Sequence, residues 1–397
     1  MPDFEDILKT QRTVFADKSL LSPHHVPKEL PYREEELRRM MTAIAPVLQK
    51  QRARNIFAYG QTGTGKSACT RQVLGKLEER KEPSVRTTYM NCRVYDSRYK
   101  ILQKIITEFH PSFAKTGYSF AVLYEKLLDW IEEDSKRLVI ALDEIDMIKD
   151  LDNAVYTLTR ANDELRGGSI SIIGVSNKVN FKQRLDSRSK SALCEEEIVF
   201  QPYNAEQLAG ILRQRCETAF KPSVVEESAI NYSSAIAAGE NGDARYALAL
   251  MLRAGELADR KKLEKITDKE VEDSRREADE DKAFEVISAL PEHQQLVLYA
   301  IATLASDVHY KRLVEDNGGK VYFSGEVYER YVSTARKTGK EPRTSRWYRE
   351  YLGELESLGL ITTVGSGKGI RGHTTLIKLA YDAAKVKHVI EKTLLGE

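Results

Sequence analysis

The sequence predicts an α/β fold, with helices on both faces of a parallel sheet, followed by a helical segment and a C-terminal winged helix-turn-helix. Short apolar runs alternate with helical patterns up to residue 203, whereas only helical patterns follow from Asn204. The C-terminal part shows helical patterns and then two strand patterns. Alternation of buried strands with helices favours a parallel sheet. Helices followed by a β-hairpin are the order of a winged helix.

Apolar runs predict the strands of the sheet. They are NIFAYG (55–60), TTYMN (87–91), RLVIALD (137–143), SISIIGVS (169–176) and EEIVFQPY (196–203). Short apolar runs of this kind are typical of strands buried on both faces. The segments between them have helical patterns, so we expect helices to connect successive strands.

Two capping signals predict helices after the sheet. Asn204 precedes Gln207 by three residues, and Thr267 precedes Glu270 by the same spacing, which is that of a capping box. The second pair lies in 259–282, a segment composed almost entirely of charged residues. We therefore predict a solvated connector helix there.

The C-terminal part has the pattern of a winged helix. Helical patterns cover 290–305, 324–339 and 343–359, and strand patterns cover 360–364 and 374–380. In this fold the third helix enters the major groove of DNA and the hairpin contacts the adjacent groove or backbone.

The length of 397 residues exceeds that of one ordinary domain. We expect a mobile N-terminal tail over 1–17, an α/β base over 18–203, a helical lid with the connector helix over 204–282, and the winged-helix domain over 283–397.

Composition limits the class of protein. Charged residues make up 30% of the chain, but the net charge is only +1, which excludes a uniformly cationic nucleic-acid binder. The cysteines are scattered without a CxxC pair, so a zinc ribbon or disulfide framework is not expected. No apolar run approaches the roughly 20 residues that span a bilayer. We expect a soluble, intracellular protein without membrane contact.

The segment GQTGTGKS (60–67) matches the phosphate-binding loop pattern G-x-x-x-x-G-K-[ST]. An apolar run precedes it and a helical pattern follows, as that pattern requires. Backbone N–H groups of such a loop turn toward phosphates, and the helix N-terminus adds its positive end. Lys66 is expected to neutralise the β- and γ-phosphate oxygens, and the Ser67 hydroxyl to bind Mg²⁺. The sequence therefore predicts a site for ATP or ADP.

Polar side chains follow two later strands. Asp143 ends the run 137–143 and Glu144 follows it, at the edge where open α/β sheets bind ligands. A solvated strand end before a helix capped by Asp146 is the alternative. We expect Asp143 to hold Mg²⁺ and Glu144 to polarise the attacking water. Asn177 follows the run 169–176 and could position that water; an ordinary turn asparagine is the alternative.

Arg245 lies in the first turn of a predicted helix, where the dipole disfavours a cation. An anionic partner such as the γ-phosphate would explain this placement. A surface arginine that pairs with a nearby acid is the alternative.

Basic side chains occupy the start of the third C-terminal helix. Arg343, Arg346 and Arg349 recur at a spacing that places them on one face, and Thr344 and Ser345 lie between them. Arginine can bind guanine in a bidentate manner, and Thr or Ser can hold phosphate. The sequence predicts a double-stranded DNA contact here; a solvated face of an interaction helix is the alternative.

The segment VGSGKGIRGHTT (364–375) predicts the wing. Its glycines permit close approach to a groove, and its cations supply charge for phosphates. The predicted contacts are Gly367, Lys368, Gly369, Arg371 and His373. A merely flexible loop is the alternative.

The chain resembles the AAA+ origin-recognition and helicase-loading initiators of archaea, from about Leu21 to its end. The motifs that carry the resemblance are LPYRE, GQTGTGKS, ALDEID, GVSN, LDSRSKSAL, FQPY, GDARYAL and the winged helix. The resemblance implies an AAA+ base with an all-α lid. It also implies that Asp143 and Glu144 are the Walker B pair, Asn177 sensor 1 and Arg245 sensor 2.

The resemblance also implies the residues around the nucleotide. The phosphate loop would contribute Gly60, Gln61, Thr62, Gly63, Thr64, Gly65, Lys66, Ser67 and Ala68. The segment around Val26, Pro27, Tyr32 and Arg33 would flank adenine, although Tyr32 could instead pack at the entry of a helix. Tyr203 would also belong to the nucleotide site. Arg188 lies where related proteins donate an arginine to a neighbour's γ-phosphate. Related proteins commonly have a second arginine further along, but this chain has Ala192 at that position.

A second DNA contact is expected between the second and third strands. The aromatic-rich segment 109–127 lies where the initiators have a DNA-contacting helix, with Thr116 and Tyr118 as contacts. Packing of the aromatic residues within the insertion is the alternative.

The sequence therefore predicts an ATP-dependent initiator of DNA replication, with slow hydrolysis as a switch. The implied partners are origin duplex DNA, the MCM-type replicative helicase and paralogous initiators, and the implied location is the cytoplasm, at the nucleoid. An ATP-switched winged-helix transcriptional regulator and a clamp-loader or transposition-type AAA+ ATPase remain alternatives.

Overall fold

The computed structural model describes residues 13–22, 25–110, 117–306, 315–316, 319–365 and 375–395. The chain forms two compact units, residues 1–274 and 275–397. In the part of the chain that the structure describes, no helix combines the length and apolar character needed to cross a bilayer.

The first unit contains a five-stranded parallel sheet in the order β2-β3-β4-β1-β5. Every residue of the central strands β3 and β4 is buried, as expected for strands covered on both faces. The predicted α/β class is thus confirmed. The strands are β1 Ile56–Gly60, β2 Val85–Asn91, β3 Arg137–Asp143, β4 Ser169–Ser176 and β5 Glu196–Phe200.

Helices cover both faces of this sheet because successive residues of each strand point to opposite sides. In β1, Ile56 and Ala58 pack under α1 and α2, whereas Phe57 packs with α3, α4 and α5 on the other face. A short helix, α6, precedes β5. The helices are α1 Glu34–Ile44, α2 Lys66–Glu78, α3 Arg98–Phe109, α4 Phe120–Glu133, α5 Leu151–Glu164 and α6 Ser187–Leu193.

Three helices form the lid: α7 Ala205–Ala219, α8 Glu227–Glu240 and α9 Ala244–Lys261. The capping box predicted at Asn204 and Gln207 is confirmed, with both reciprocal bonds present. At the second predicted box, the Glu270 carboxylate accepts from the Thr267 backbone N–H at 2.9 Å. The helix that follows, α10 Asp268–Ala289, begins in the first unit and ends in the second.

The segment Thr13–Asp17 packs on the lid. The Phe15 ring stacks on Phe220 with centroids 4.8 Å apart. The Asp259 carboxylate accepts from the Thr13 hydroxyl and the Val14 backbone N–H, each at 2.7 Å. These residues fall within the predicted tail 1–17, of which residues 1–12 lie outside the described part.

The second unit has the order of a winged helix, as predicted. Its three-stranded antiparallel sheet has the order β8-β10-β9. The sequence patterns missed the short strand β8 and the last helix, α14, which buries Val386 and Ile390 in the unit's core. The elements are α11 Glu292–Ser306, β6 Glu315–Asp316, β7 Gly319–Lys320, β8 Tyr322–Phe323, α12 Ser324–Lys337, α13 Ser345–Ser357, β9 Ile361–Gly365, β10 Thr375–Leu379 and α14 Ala383–Ile390.

Phe15→Ala should destabilise the first unit, because the buried ring fills space against Phe220 and Gly255. We expect a loss of about 3 kcal/mol in the free energy of unfolding, as for other buried Phe truncations. Urea unfolding followed by circular dichroism measures this. The control Lys18→Ala, at an exposed side chain, should change it little; equal midpoints for Phe15→Ala and wild type would contradict the packing described.

Candidate functional site

The loop between β1 and α2 depends on its glycines. Gly60, Gly63 and Gly65 all have positive φ angles, of 153°, 72° and 95°. A Cβ at Gly60 would lie 2.2 Å from the Phe200 carbonyl oxygen, and one at Gly65 2.9 Å from the Tyr203 hydroxyl. Side chains at these positions would therefore push the loop away from β5 and its continuation.

The lid meets this loop at Gly63. A Cβ there would lie 1.7 Å from Asp243 Oδ1, and the Ala244 backbone N–H donates to the Gly63 carbonyl at 3.2 Å. Asp243 also caps α9, since its Oδ1 accepts from the Arg245 backbone N–H at 2.7 Å. This contact places the N-terminus of α9 beside the loop.

Lys66 is buried within the loop. Its ammonium donates to the carbonyls of Gly60 at 2.9 Å and Gln61 at 2.6 Å. Burial, together with the nearby Arg245 guanidinium, lowers the pKa of Lys66 to about 8, although Asp143 and Asp243 act in the opposite direction. An anion bound at this loop would favour the charged form of Lys66.

Asp143 and Glu144 lie at the carboxyl end of β3. The Tyr89 hydroxyl of β2 donates to Asp143 Oδ2. Glu144 has a positive φ angle of 54°, a conformation that is uncommon for a residue other than glycine. Its carboxylate accepts from Arg93 Nε. The turn after β3 thus separates the two carboxylates and pairs one of them with a cation.

Asn177 follows β4, the neighbour of β3 in the sheet. Asp143 is in register with Val175, which brings Asn177 to the same edge. The Asp146 carboxylate accepts from the Ser176 hydroxyl and the Lys178 ammonium, each at 2.9 Å. These bonds fix the turn that carries Asn177.

A cavity joins these residues. Among the predicted site residues, the cavity is lined by Val26, Gly63, Gly65, Ser67, Ala68, Asp143, Glu144, Asn177, Tyr203 and Arg245. Ser67 and Asp143 bring a hydroxyl and a carboxylate to one space, and such oxygen ligands fit Mg²⁺. The other predicted residues of the loop do not line the cavity. They are Gly60, Gln61, Thr62, Thr64 and Lys66.

Arg33, predicted to flank adenine, is instead buried under the loop. Its Nε donates to the Thr64 carbonyl at 2.9 Å and to the Tyr203 hydroxyl at 3.0 Å. Its guanidinium carbon lies 4.0 Å from the centroid of the Tyr203 ring. A guanidinium offers five donors in a plane, and here they tie the loop to the end of β5.

Tyr32 and Arg188 are not among the lining residues either. The Tyr32 ring packs against Gly210 of α7, where a Cβ would lie 2.1 Å from its hydroxyl. Tyr32 thus contacts the lid helix α7, and its place beside adenine stays a prediction. Arg188 is exposed on α6, so a role toward a neighbouring molecule stays a prediction.

Sequence reasoning missed the lid side of the cavity. The lid lines the cavity with Ile211, Gln214 and Arg215 of α7 and with Leu248 of α9. The segment before α1 adds Leu30 and Pro31. The spacing of Ile211 with Gln214 and Arg215 is that of one helix face, which was the available signal. Arg215 donates to the carbonyls of Leu20 and His25, each at 3.3 Å, and so fixes the segment that forms the opposite wall.

In the second unit, the side chains at and before the start of α13 that are predicted to contact DNA are exposed. They are Arg343, Thr344, Ser345, Arg346 and Arg349. The prediction that Arg343 lies within the helix is wrong: α13 begins at Ser345 with Thr344 as N-cap. Arg343 is held by its backbone, whose N–H donates to the Tyr331 hydroxyl at 3.0 Å.

A polar groove lies between α12, α13 and the hairpin. Ser345 and Arg349 line one side of it, and Ser324, Thr363 and Thr375 are also at its surface. The wing residues Gly367, Lys368, Gly369, Arg371 and His373 lie outside the described residues, as does Thr116. Tyr118 is half-buried against the core of the base, and its carbonyl accepts from the Tyr99 hydroxyl at 3.1 Å.

Comparisons with known proteins agree with this architecture. Models of an AAA domain, of the Cdc6 AAA+ ATPase-type lid domain and of the CDC6 C-terminal winged helix domain match residues 49–181, 209–276 and 285–389. An AAA+ base of this kind implies nucleotide use.

Relatives match along nearly the full length. ORC1-type DNA replication protein 1 of Sulfurisphaera tokodaii is 41% identical over 382 residues, covering 96% of this chain and 94% of that protein. The protein of the same name in Archaeoglobus fulgidus is 36% identical over 393 residues, with 98% and 93% covered. Aeropyrum pernix ORC1, solved in complex with DNA, is 35% identical, covers 95% of this chain and 97% of its own, and has a TM-score of 0.64. This chain therefore belongs to the family of ORC1-type DNA replication proteins.

Proposed function

We propose that this protein is an ATP-dependent initiator of DNA replication that binds origin duplex DNA and helps recruit the replicative helicase. The observation that carries the proposal is the likeness, over 95% of the chain, to an ORC1 protein solved in complex with DNA. The cavity between loop and lid supports the ATP dependence, and the exposed arginines of α13 support the DNA contact.

ATP would bind with its phosphates at the loop and its base between the lid and the segment Val26–Pro31. Gly63, Gly65 and Ser67 line the phosphate end, where the N-terminus of α2 presents its backbone N–H groups. Ser67 and Asp143 would hold Mg²⁺, which supplies charge that stabilises the phosphoryl group during its transfer to water. Tyr89 would orient the Asp143 carboxylate.

Hydrolysis would require Glu144 to accept a proton from the attacking water, with Asn177 holding that water in place. In the structure the Glu144 carboxylate is engaged by Arg93. A base paired with a cation is less available to water. Slow turnover, suited to a switch, follows from this pairing.

The lid would sense the nucleotide through the start of α9. Asp243 contacts the loop at Gly63, and Arg245 lines the cavity. Arg245 would bind the γ-phosphate. Loss of this phosphate on hydrolysis would remove an anionic partner from the lid. The position of the lid would thereby depend on which nucleotide is bound.

DNA would be contacted by Arg346 and Arg349 near the start of α13, with the hairpin and the segment around Tyr118 as further contacts. The protein would act in the cytoplasm at the nucleoid, with an MCM-type helicase and paralogous initiators as partners.

Footprinting across genomic DNA tests this function. Protection at replication start sites is expected; protection confined to promoters would favour a transcriptional regulator, and no duplex binding would favour a clamp-loader-like ATPase.

ATP affinity should fall as pH rises through about 8, the pKa of Lys66 in the protein without nucleotide. Below that pH the Lys66 side chain is charged with or without ATP. Above it, the Lys66 amine is neutral in the free protein and must take up a proton when ATP binds. We expect up to about a tenfold loss per pH unit. Isothermal titration calorimetry in two buffers measures the affinity and the proton uptake. Lys66→Met should bind more weakly and lose this pH dependence; the same slope in both proteins would contradict the assignment.

Arg93→Ala should increase the rate of ATP hydrolysis, because it releases the Glu144 carboxylate. We expect roughly a fivefold increase, the rate equivalent of about 1 kcal/mol for a partly exposed ion pair. Steady-state phosphate release measures the rate. Arg98→Ala removes another exposed arginine, on α3, and should leave the rate unchanged. An unchanged or lower rate in Arg93→Ala would show that the pair does not restrain Glu144.

Arg346→Ala and Arg349→Ala should each weaken binding to duplex DNA, and the salt dependence of binding shows whether a phosphate or a base contact was lost. One lost phosphate contact lowers the slope of log K against log salt by about 0.9, whereas a lost base contact costs about 1–3 kcal/mol with little change of slope. Fluorescence anisotropy over a salt series separates the two. Lys392→Ala removes an exposed cation beyond α14 and is the control. Wild-type affinity in both arginine variants would exclude α13 from the interface.

A further inference from the structure

We propose that Tyr328 and Tyr331 are positioning residues for DNA binding: their hydroxyls hold the main chain of Arg343 so that its side chain meets a backbone phosphate of duplex DNA. This inference rests on the proposed contact of α13 with DNA and names what holds one cation of that interface in place. Neither tyrosine carries a predicted role.

Two tyrosine hydroxyls bind the main chain of Arg343 from both sides. The Tyr331 hydroxyl accepts from the Arg343 backbone N–H at 3.0 Å, and the Tyr328 hydroxyl donates to the Arg343 carbonyl at 3.1 Å. The tyrosines are three residues apart on α12 and so share one face of that helix. Their rings lie beside Tyr348 of α13, with centroids 5.1 and 6.2 Å from its ring. The two bonds therefore tie the turn between the helices to the face of α12 that packs on α13.

His293 of α11 adds a third contact, to the hydroxyl of Tyr331. Its Nδ1 lies 2.9 Å from the Tyr331 oxygen. Burial and the cations of Arg343 and Lys340 lower the pKa of His293, although Glu292 acts in the opposite direction. A neutral imidazole can accept the Tyr331 proton at Nδ1, which leaves the Tyr331 oxygen available to accept from the Arg343 N–H.

The Arg343 side chain, in contrast to its main chain, is left in solvent. No carboxylate among the described residues forms an ion pair with its guanidinium. Glu292, which lies beside the same turn, pairs with Lys340 at 2.7 Å instead. A residue whose main chain is bound twice presents its side chain from a fixed position, and a guanidinium without an acid partner suits an anion.

The position of Arg343 in the chain favours a phosphate over a base as that anion's source. The exposed face of a recognition helix reaches base edges within the major groove. Arg343 lies before this helix, which begins at Ser345, and a chain that leads into the groove passes the sugar–phosphate backbone at its edge. Arginine can bind a phosphate in a bidentate manner. A main chain that is already fixed reduces the ordering cost of this contact.

Fluorescence anisotropy with the full chain and a duplex, over a series of salt concentrations, tests the inference. Arg343→Ala should lower the slope of log K against log salt by about 0.9, which is about an eightfold loss of affinity at 0.1 M salt. Tyr328→Phe and Tyr331→Phe keep the rings but remove the hydroxyls. Each should weaken binding about threefold, because part of the preorganisation of Arg343 is lost.

A double-mutant cycle separates positioning from a general loss of structure. On the Arg343→Ala background, Tyr331→Phe should have almost no further effect, because the side chain that it positions is gone. On the Arg349→Ala background it should keep its full effect, since Arg349 belongs to α13 itself. Equal effects of Tyr331→Phe on the two backgrounds would overturn the inference.

Tyr299→Phe is the matched control. Its hydroxyl donates to the Glu391 carboxylate at 2.8 Å, a contact in the same unit between α11 and the residue after α14. This variant should bind DNA with the wild-type affinity and salt slope. A loss equal to that of Tyr331→Phe would show that any missing hydroxyl in this unit acts alike, and the inference would fail.

Other outcomes separate this inference from the proposed function. If Arg343→Ala keeps the wild-type affinity, or weakens binding with an unchanged slope, the phosphate contact is overturned while DNA binding through α13 stands. A wild-type protein that binds no duplex contradicts the proposed function itself. Should Tyr331→Phe fail to fold, as judged by its melting temperature, Tyr328→Phe decides in the same cycle: coupling to Arg343→Ala supports the inference, and additivity overturns it.

Discussion

The nucleotide cavity depends on a contact that only glycine permits. At Gly63 the phosphate loop carries no side chain, and the Asp243 carboxylate occupies the space where a Cβ would lie. The same carboxylate begins α9 by capping it. The Asp243 carboxylate therefore fixes both the start of α9 and the distance of this helix from the loop. As a consequence Arg245, two residues later, lines the cavity.

The charges beside this contact belong to Lys66, Arg245, Asp143 and Asp243. Burial and the Arg245 guanidinium both disfavour the ammonium form of Lys66. The carboxylates of Asp143 and Asp243 offset this only in part, since the pKa of Lys66 remains lowered. An anion at the loop would relieve the repulsion between base and lid cations. This charge balance is the physical basis of the proposed dependence of the lid on the bound nucleotide.

Several side chains act by holding others in place. Arg33 ties the loop to Tyr203 through its guanidinium, Tyr89 donates to Asp143, and Arg215 fastens the N-terminal segment to α7. None of these contacts is local in sequence. Of the three, the Arg33 side chain contacts the glycine-rich loop itself, through the Thr64 carbonyl, and joins it to the end of β5.

The sequence by itself determined the fold class, the strands of the parallel sheet, the phosphate loop, the capping box at Asn204 and the helix that carries Arg245, because these follow from periodicity and local backbone chemistry. Only the tertiary structure decided which side chains face the cavity. Arg33 and Tyr32 are adjacent to its wall in sequence yet point elsewhere, while Gln214 and Leu248 reach it from the lid. Likewise α13 begins only at Ser345, and the Arg343 backbone N–H before it donates to the Tyr331 hydroxyl of α12. Side-chain direction depends on contacts between segments far apart in the chain, and no local pattern records them.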